Sequence, residues 1–248
     1  MAEESSPYIA FDHVWKSFDR PVLEDCSFHL RSGQTLAIIG RSGVGKSVTL
    51  QHLMGFHKPD RGRVVVAGED VTEYPESELN RIRRKVTMVF QSGALFDSLT
   101  VAENVAFALE NLGDHTADNV DHVVAGLLEM VEISEYRDAY PAELSTGTKR
   151  AVAIARALAA QPEAILYDEP TTMVDPPMSE HVGDLMRRLK EQLRLTSVVV
   201  THDLELMRKV ADQVVFLYEG RVIFFGAVDE MERAEHPHIR EFLALDRV

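Results

Sequence analysis

The sequence predicts an α/β domain, a parallel-sheet core preceded by an antiparallel β region and interrupted by a helical insertion. Three observations point there. Four short, mainly apolar runs, residues 36–39, 86–90, 164–167 and 197–200, have the length and hydrophobicity of strands buried on both faces. Strand and helix patterns alternate around them, which is how parallel strands are connected. A long stretch between the second and third runs, about 99–160, carries the helical period instead of the strand period.

Residues 1–7 are polar and are expected to fray. Residues 8–37 read as short strands with turns, in which Ile9, Phe11 and Trp15 alternate with polar neighbours. The run 36–39 leads into Gly40-Arg41-Ser42-Gly43-Val44-Gly45-Lys46-Ser47 and then a helix that should close at Gly55. The basic run Arg81-Ile82-Arg83-Arg84-Lys85 reads as a solvated helix C-terminus complementing its dipole, in preference to a phosphate patch. Thr100 and Glu103 have the spacing of a capping box for a helix over 101–112. Segments 120–131 and 149–160 continue the helical pattern. Residues 214–218, Glu219-Gly220 and 221–225 read as strand, turn and strand. With no linker or repeat to divide it, the chain is expected to be one domain over 1–248. Segments 8–91 and 161–235 make the β subdomain and sheet core, 92–160 the helical subdomain and 236–248 a short tail. His236 and His238 in that tail have no third ligand in view and read as a surface turn.

Composition narrows the function classes. The 248 residues carry a net charge of −14, which argues against nucleic acid and against direct adhesion to anionic lipid, since both attract basic faces. The single cysteine, Cys26, permits no internal disulfide and reads as a small buried hydrophobe. No apolar run approaches the ~20 residues that span a bilayer, and the acidic N-terminus is unlike a signal peptide. Any membrane process would need other chains to supply the membrane.

Chemistry concentrates at five places. Residues 40–47 match G-x-x-x-x-G-K-[ST] in full, between a strand and a helix as phosphate binding requires. The backbone of Gly40, Arg41, Ser42, Gly43, Val44 and Gly45 would curl around phosphate oxygens, with the helix dipole adding positive potential at Lys46, Ser47 and Val48. Lys46 should reach the β- and γ-phosphates of a nucleotide and Ser47 should ligate Mg²⁺. Asp168 and Glu169 end an apolar strand: one carboxylate suits the metal, the other the attacking water, so Asp168 is assigned to Mg²⁺ and Glu169 to general-base duty. Gln91 and His202 close two further runs. All four groups stand at the C-terminal ends of predicted parallel strands, the edge where open α/β sheets bind ligands.

The fifth place is Leu144-Ser145-Thr146-Gly147-Thr148-Lys149-Arg150, in which Ser145 is a good N-cap for the alanine-rich helix that follows. With it, the order of motifs over roughly 8–243 resembles the ATPase subunit of an ABC transporter. That resemblance implies a RecA-like P-loop NTPase fold and ATP hydrolysis with Mg²⁺. It makes 145–149 the signature loop, Gln91 the Q-loop residue and a further Mg²⁺ contact, 172–175 with Asp175 the D-loop, and His202 the switch histidine. Phe18 matches the aromatic that stacks on adenine, with Trp15 the lesser alternative. It also implies a head-to-tail homodimer in which Ser145, Thr146, Gly147 and Thr148 face the partner's γ-phosphate. Membrane permease subunits would dock near the Q-loop and helical subdomain, at the cytoplasmic face of a bacterial inner membrane. The family pattern Ser-Gly-Gly-Gln is altered here at Thr146 and Thr148. Segments 45–53 and 90–96, and the short C-terminus with His236-Pro237-His238 and Glu241-Phe242-Leu243, resemble the ATPases of Mla/Mce-type phospholipid transporters, implying Mce-type substrate-binding partners. A polar-solute importer, for example for an amino acid, is the alternative, and a non-transport ABC protein is disfavoured by the single acidic unit.

Overall fold

A computed structural model describes residues 6–110 and 117–244. Residues 1–5 of the fraying segment and the end of the helix expected over 101–112 lie outside the described residues.

Two sheets organise the chain. The first is antiparallel and comprises β1 (Ile9–Ser17), β2 (Pro21–Leu30), β4 (Arg61–Val66) and β5 (Glu69–Asp70), in the order β2-β1-β4-β5. The second comprises β3 (Thr35–Ile39), β6 (Val86–Val89), β7 (Ala164–Asp168), β8 (Thr196–Thr201), β9 (Gln213–Tyr218) and β10 (Arg221–Ala227). Its order is β10-β9-β3-β8-β7-β6, parallel throughout except for the terminal β9–β10 hairpin. The four apolar runs are therefore the four adjacent strands β3, β8, β7 and β6. Both β3 and β8 are buried along their whole length, as strands covered on two faces must be.

The alternation of side chains across the core sheet distributes its residues between separate hydrophobic cores. Leu36 and Ile38 of β3 and Leu166 of β7 join Phe11, Phe28 and Val64 of the antiparallel sheet. Between the sheets runs α1 (Lys46–Leu53), contributing Leu50 and Leu53 to the same cluster. On the opposite face, Ile165 and Tyr167 pack against α3 (Val101–Glu110), α4 (Ala117–Met130), α5 (Thr146–Ala159) and α6 (Pro176–Leu193). A third cluster sets Ala37, Ile39, Val214 and Phe216 under α7 (Leu204–Val210), α8 (Val228–Arg233) and α9 (Pro237–Ala244).

Local chemistry explains the element ends. Gly55 closes α1, its N–H donating to the His52 carbonyl at 3.0 Å while that of Phe56 donates to Gln51 at 2.8 Å, a Schellman closure. The capping box at α3 is formed: the Thr100 N–H donates to Glu103 at 2.7 Å and the Glu103 N–H to the Thr100 hydroxyl at 3.3 Å. The basic run ends α2 (Glu76–Lys85), where Arg81 pairs with Glu69 and Arg83 with Glu76. Cys26 is buried beside the Gly220 carbonyl, and burial pushes its thiol up to about 11. His238 stacks on Tyr218 with ring centroids 3.8 Å apart.

One sequence expectation fails in β1. Simple alternation puts Trp15 inward with Ile9 and Phe11, but His13 adopts φ 52 at a register shift between Phe11 and Val14. This bulge advances the pleat by one residue. Val14 is therefore the buried residue and Trp15 is only half-buried.

Candidate active site

A cleft of about 490 Å³ opens at the C-terminal edge of the core sheet, within the usual range for small-molecule sites. Its walls include Phe18, Arg20, Ser42, Gly43, Gly45, Lys46, Ser47, Val48, Gln91, Glu169, Thr172 and His202. The register of β3, β8, β7 and β6 is what brings these distant segments together. A larger concavity of about 720 Å³ lies on the outer face of the antiparallel sheet, among Phe28, Arg63 and Phe225. It has no glycine loop or helix start, and we do not regard it as the chemical centre.

The loop before α1 is built for an anion. Gly45 is the helix N-cap with φ 108, and a Cβ there would lie 2.8 Å from Leu23 Cδ2 and 3.0 Å from the Val22 carbonyl. Only glycine meets both demands. No side chain caps the first turn and no acidic residue occupies it, leaving N–H groups and the positive helix end for a ligand. Lys46 is buried, with Nζ donating to the carbonyls of Gly40 at 2.8 Å and Arg41 at 3.2 Å. The same Nζ lies 3.5 Å from Glu169 Oε1.

The carboxylates differ in environment. Asp168 accepts from the Ser47 hydroxyl at 3.0 Å. Burial raises its carboxyl above the ordinary range, opposed by that hydrogen bond, reinforced by Glu169 and opposed again by Lys46. Glu169 has a left-handed backbone, φ 48, uncommon for a non-glycine residue. Its N–H donates to the Val200 carbonyl at 2.9 Å. Its Oε2 lies 2.8 Å from His202 Nδ1 and accepts from the Thr172 hydroxyl at 3.3 Å. The side chain is 13 % exposed, whereas that of His202 is 58 % exposed.

Ser47 and Asp168 present hard oxygen donors side by side, the chemistry that Mg²⁺ prefers. Among the described residues no cluster of three His, Cys, Asp or Glu could hold a metal alone. That donor set fits a cation completed by phosphate oxygens and water.

The remaining sequence candidates fall outside the cleft walls. Ser145 caps α5, its hydroxyl accepting from the Thr148 N–H at 3.1 Å and lying 2.8 Å from the Thr148 hydroxyl. Thr146 is exposed beside it, while Gly147 is buried against Met178, whose side chain would overlap any added Cβ. Asp175 caps α6, accepting from the Met178 N–H at 3.1 Å. Arg41 turns outward to Glu241 at 2.6 Å. Arg20 is a wall residue that the sequence reading did not single out, and Thr172, read there only as the start of the D-loop, also lines the cleft.

Comparison with known proteins agrees with this geometry. A family model described as ABC transporter matches residues 23–172. Methionine import ATP-binding protein MetN 1 of Pseudomonas savastanoi pv. phaseolicola is 39% identical over 244 residues, 96% of this chain and 73% of that protein. The MetN protein of Cupriavidus metallidurans is 40% identical over 222 residues, 89% of this chain and 64% of that one. Among solved structures, the dimeric post-hydrolysis state of the ATP-binding cassette MJ0796 with ADP and Pi superposes with a TM-score of 0.81 at 30% identity, covering 89% of this chain and 98% of that one. CbiO1 of Clostridium perfringens, part of the cbiONQ ABC transporter complex, gives 0.85 at 25% identity, covering 98% and 100%.

Proposed function

Because the chain belongs to the ABC transporter family of ATP-binding proteins, we propose that this ATPase drives a solute importer as a homodimer beneath separate permease subunits. The dimer would sit on the inner face of the cell membrane. No helix among the described residues is long and apolar enough to cross a membrane, so the permease would be a separate partner. The observation that carries the catalytic reading is the Glu169 carboxylate, held between Lys46 and His202 at the mouth of the glycine loop.

Each residue's task follows from its position. Backbone N–H groups of 42–47 and the start of α1 hold the phosphates, for which Lys46 exchanges its loop carbonyls. Ser47 and Asp168, with Gln91, would hold Mg²⁺, which when bound would neutralise phosphate charge. Phe18, half-exposed on the cleft rim, offers a face to adenine. Glu169 takes the proton of the attacking water at its carboxylate, and His202 fixes that carboxylate's orientation. Ser145, Thr146, Gly147 and Thr148 lie outside the cleft of their own chain and serve the partner's γ-phosphate. Asp175 caps the helix behind the D-loop. Phe96 and Phe107 are both 42% exposed, their ring centroids 4.7 Å apart and tilted at 58°, and with Met88, Phe90, Ala153 and Arg156 they line a mostly apolar groove. We assign permease docking to that groove.

The relatives change the cargo. Similarity to methionine importers runs through 96% of the chain, whereas the resemblance to phospholipid transporters rests on three short segments. An amino acid or comparable small polar solute is the favoured cargo, in place of phospholipid with Mce-type partners. The permease that co-purifies from membranes should be reconstituted with the chain and offered labelled methionine and, separately, labelled phospholipid. Uptake of the solute supports the importer, and lipid movement without solute uptake returns the cargo to the lipid class. In the same preparation Glu169→Gln should bind ATP but lose turnover by about 10²-fold or more, the usual scale of a general base. Turnover within about threefold of wild type removes Glu169 from that role.

A further inference from the structure

Arg150 is a buried cation with no counter-ion among the described residues. It sits one turn into α5, 4% exposed. Its one hydrogen bond among the described residues runs from Nη2 to the Thr172 carbonyl at 3.3 Å, and Nε has no partner. Nη1 comes within 3.8 Å of a Cβ built on Gly93, two residues after Gln91. The guanidinium thus lies where α5, the segment after Gln91 and the loop after Glu169 meet.

A buried unpaired charge destabilises a fold, and an apolar side chain of similar volume is usually the more stable choice. Stability therefore does not explain Arg150. Its contact does. Thr172 donates its N–H to the Glu169 carbonyl at 3.3 Å and its hydroxyl to Glu169 Oε2 at 3.3 Å. Arg150 holds the backbone of the residue that holds the general base.

We propose that Arg150 is a positioning residue that couples the two nucleotide sites of the dimer. This rests on the head-to-tail reading above. In that arrangement the N-terminus of α5 faces the partner's nucleotide, while Thr172 and Glu169 serve the chain's own. Arg150 bridges these two within one chain, so closure of the signature loop on one nucleotide sets the Glu169 loop at the other.

The test uses the full chain purified with its membrane partners, as Arg150→Met and Arg150→Lys, with Glu169→Gln alongside. For Arg150→Met we expect an unchanged or raised melting temperature and an ATP KM within about threefold of wild type. We expect kcat to fall about tenfold or more and the ATP Hill coefficient to drop toward one. Arg150→Lys should restore part of kcat, because it keeps the charge but not the fork. Wild-type kcat and cooperativity in Arg150→Met overturn the proposal. So does a variant that fails to fold or melts more than about 5 °C lower, since Arg150 would then be structural. If Glu169→Gln retains turnover, the general-base reading of Glu169 on which the proposal rests fails instead, and the two failures are distinguished.

Discussion

Thr148 occupies the position where the family carries glutamine, and its hydroxyl lies 2.8 Å from that of Ser145. The loop before α5 therefore keeps its N-cap, and in the proposed dimer it would lack a long amide that could reach across. Thr146, the other departure, is exposed, begins α5 and is not among the positive-φ residues, so nothing in its backbone asks for glycine. Thr146→Gly should leave ATPase activity of the assembled complex within about threefold of wild type. Ser145→Arg should abolish it by filling the γ-phosphate position. A tenfold gain from Thr146→Gly would make the threonine a brake. A second single residue sets a pH dependence. His52 is 1% exposed, its Nδ1 lies 2.7 Å from the Val48 carbonyl and its Nε2 has no partner. Burial lowers its proton affinity below the ordinary 6.5. The unfolded chain then binds a proton that the folded chain refuses, so stability falls as pH drops below 6.5, at up to about 1.4 kcal/mol per pH unit for this one group. Denaturant midpoints at pH 7.5 and 5.5 should differ less in His52→Gln than in wild type.

Gly147 shows what the element scale adds. Its motif position was readable, but its neighbour was not. Met178 lies 31 residues away in sequence, at the start of α6, and leaves no room for a Cβ between the two helix ends. Gly147→Ala should force α5 away from α6 and lower kcat about tenfold, and Met178→Ala should restore much of it in the double variant. Independent losses that simply add in the double variant would rule out this contact as the cause. The capping box of α3 is more modest: Thr100→Ala should cost about 1 kcal/mol, read as a lower melting temperature without a change in KM. The same scale explains which elements sequence could reveal. Glycine loop, carboxylate pair and capping box are local in sequence, so their chemistry was visible before any packing was known. The bulge at His13 was not, because a β-branched or apolar cue for one extra residue is absent there and alternation alone put Trp15 inward. Arg150 was equally hidden, since an arginine in a basic helical start looks solvated until Thr172 and Gly93 are brought against it.

At the scale of the whole molecule, the cleft and the signature loop do not meet. Ser145 lies outside the cleft walls of its own chain, so in the proposed head-to-tail dimer the second copy would complete the site. Bringing two copies together apposes two chains of net charge −14 each, a repulsion that bound nucleotide and membrane partners must offset. Permease subunits that each hold one copy raise the effective concentration of the pair. The isolated chain should therefore be mainly monomeric without ATP and a weak ATPase, and Glu169→Gln with Mg-ATP should shift it to dimer. Salt offers an independent handle. Screening shortens from roughly 10 Å at 0.1 M to about 3 Å at 1 M ionic strength, so added salt should promote the ATP-bound dimer if repulsion is what limits it. Sedimentation of Glu169→Gln at the two salt concentrations, with and without ATP, measures this directly. Weaker dimerisation at high salt would mean that specific ion pairs across the interface outweigh the overall repulsion. Full activity from a strict monomer would overturn the shared site itself.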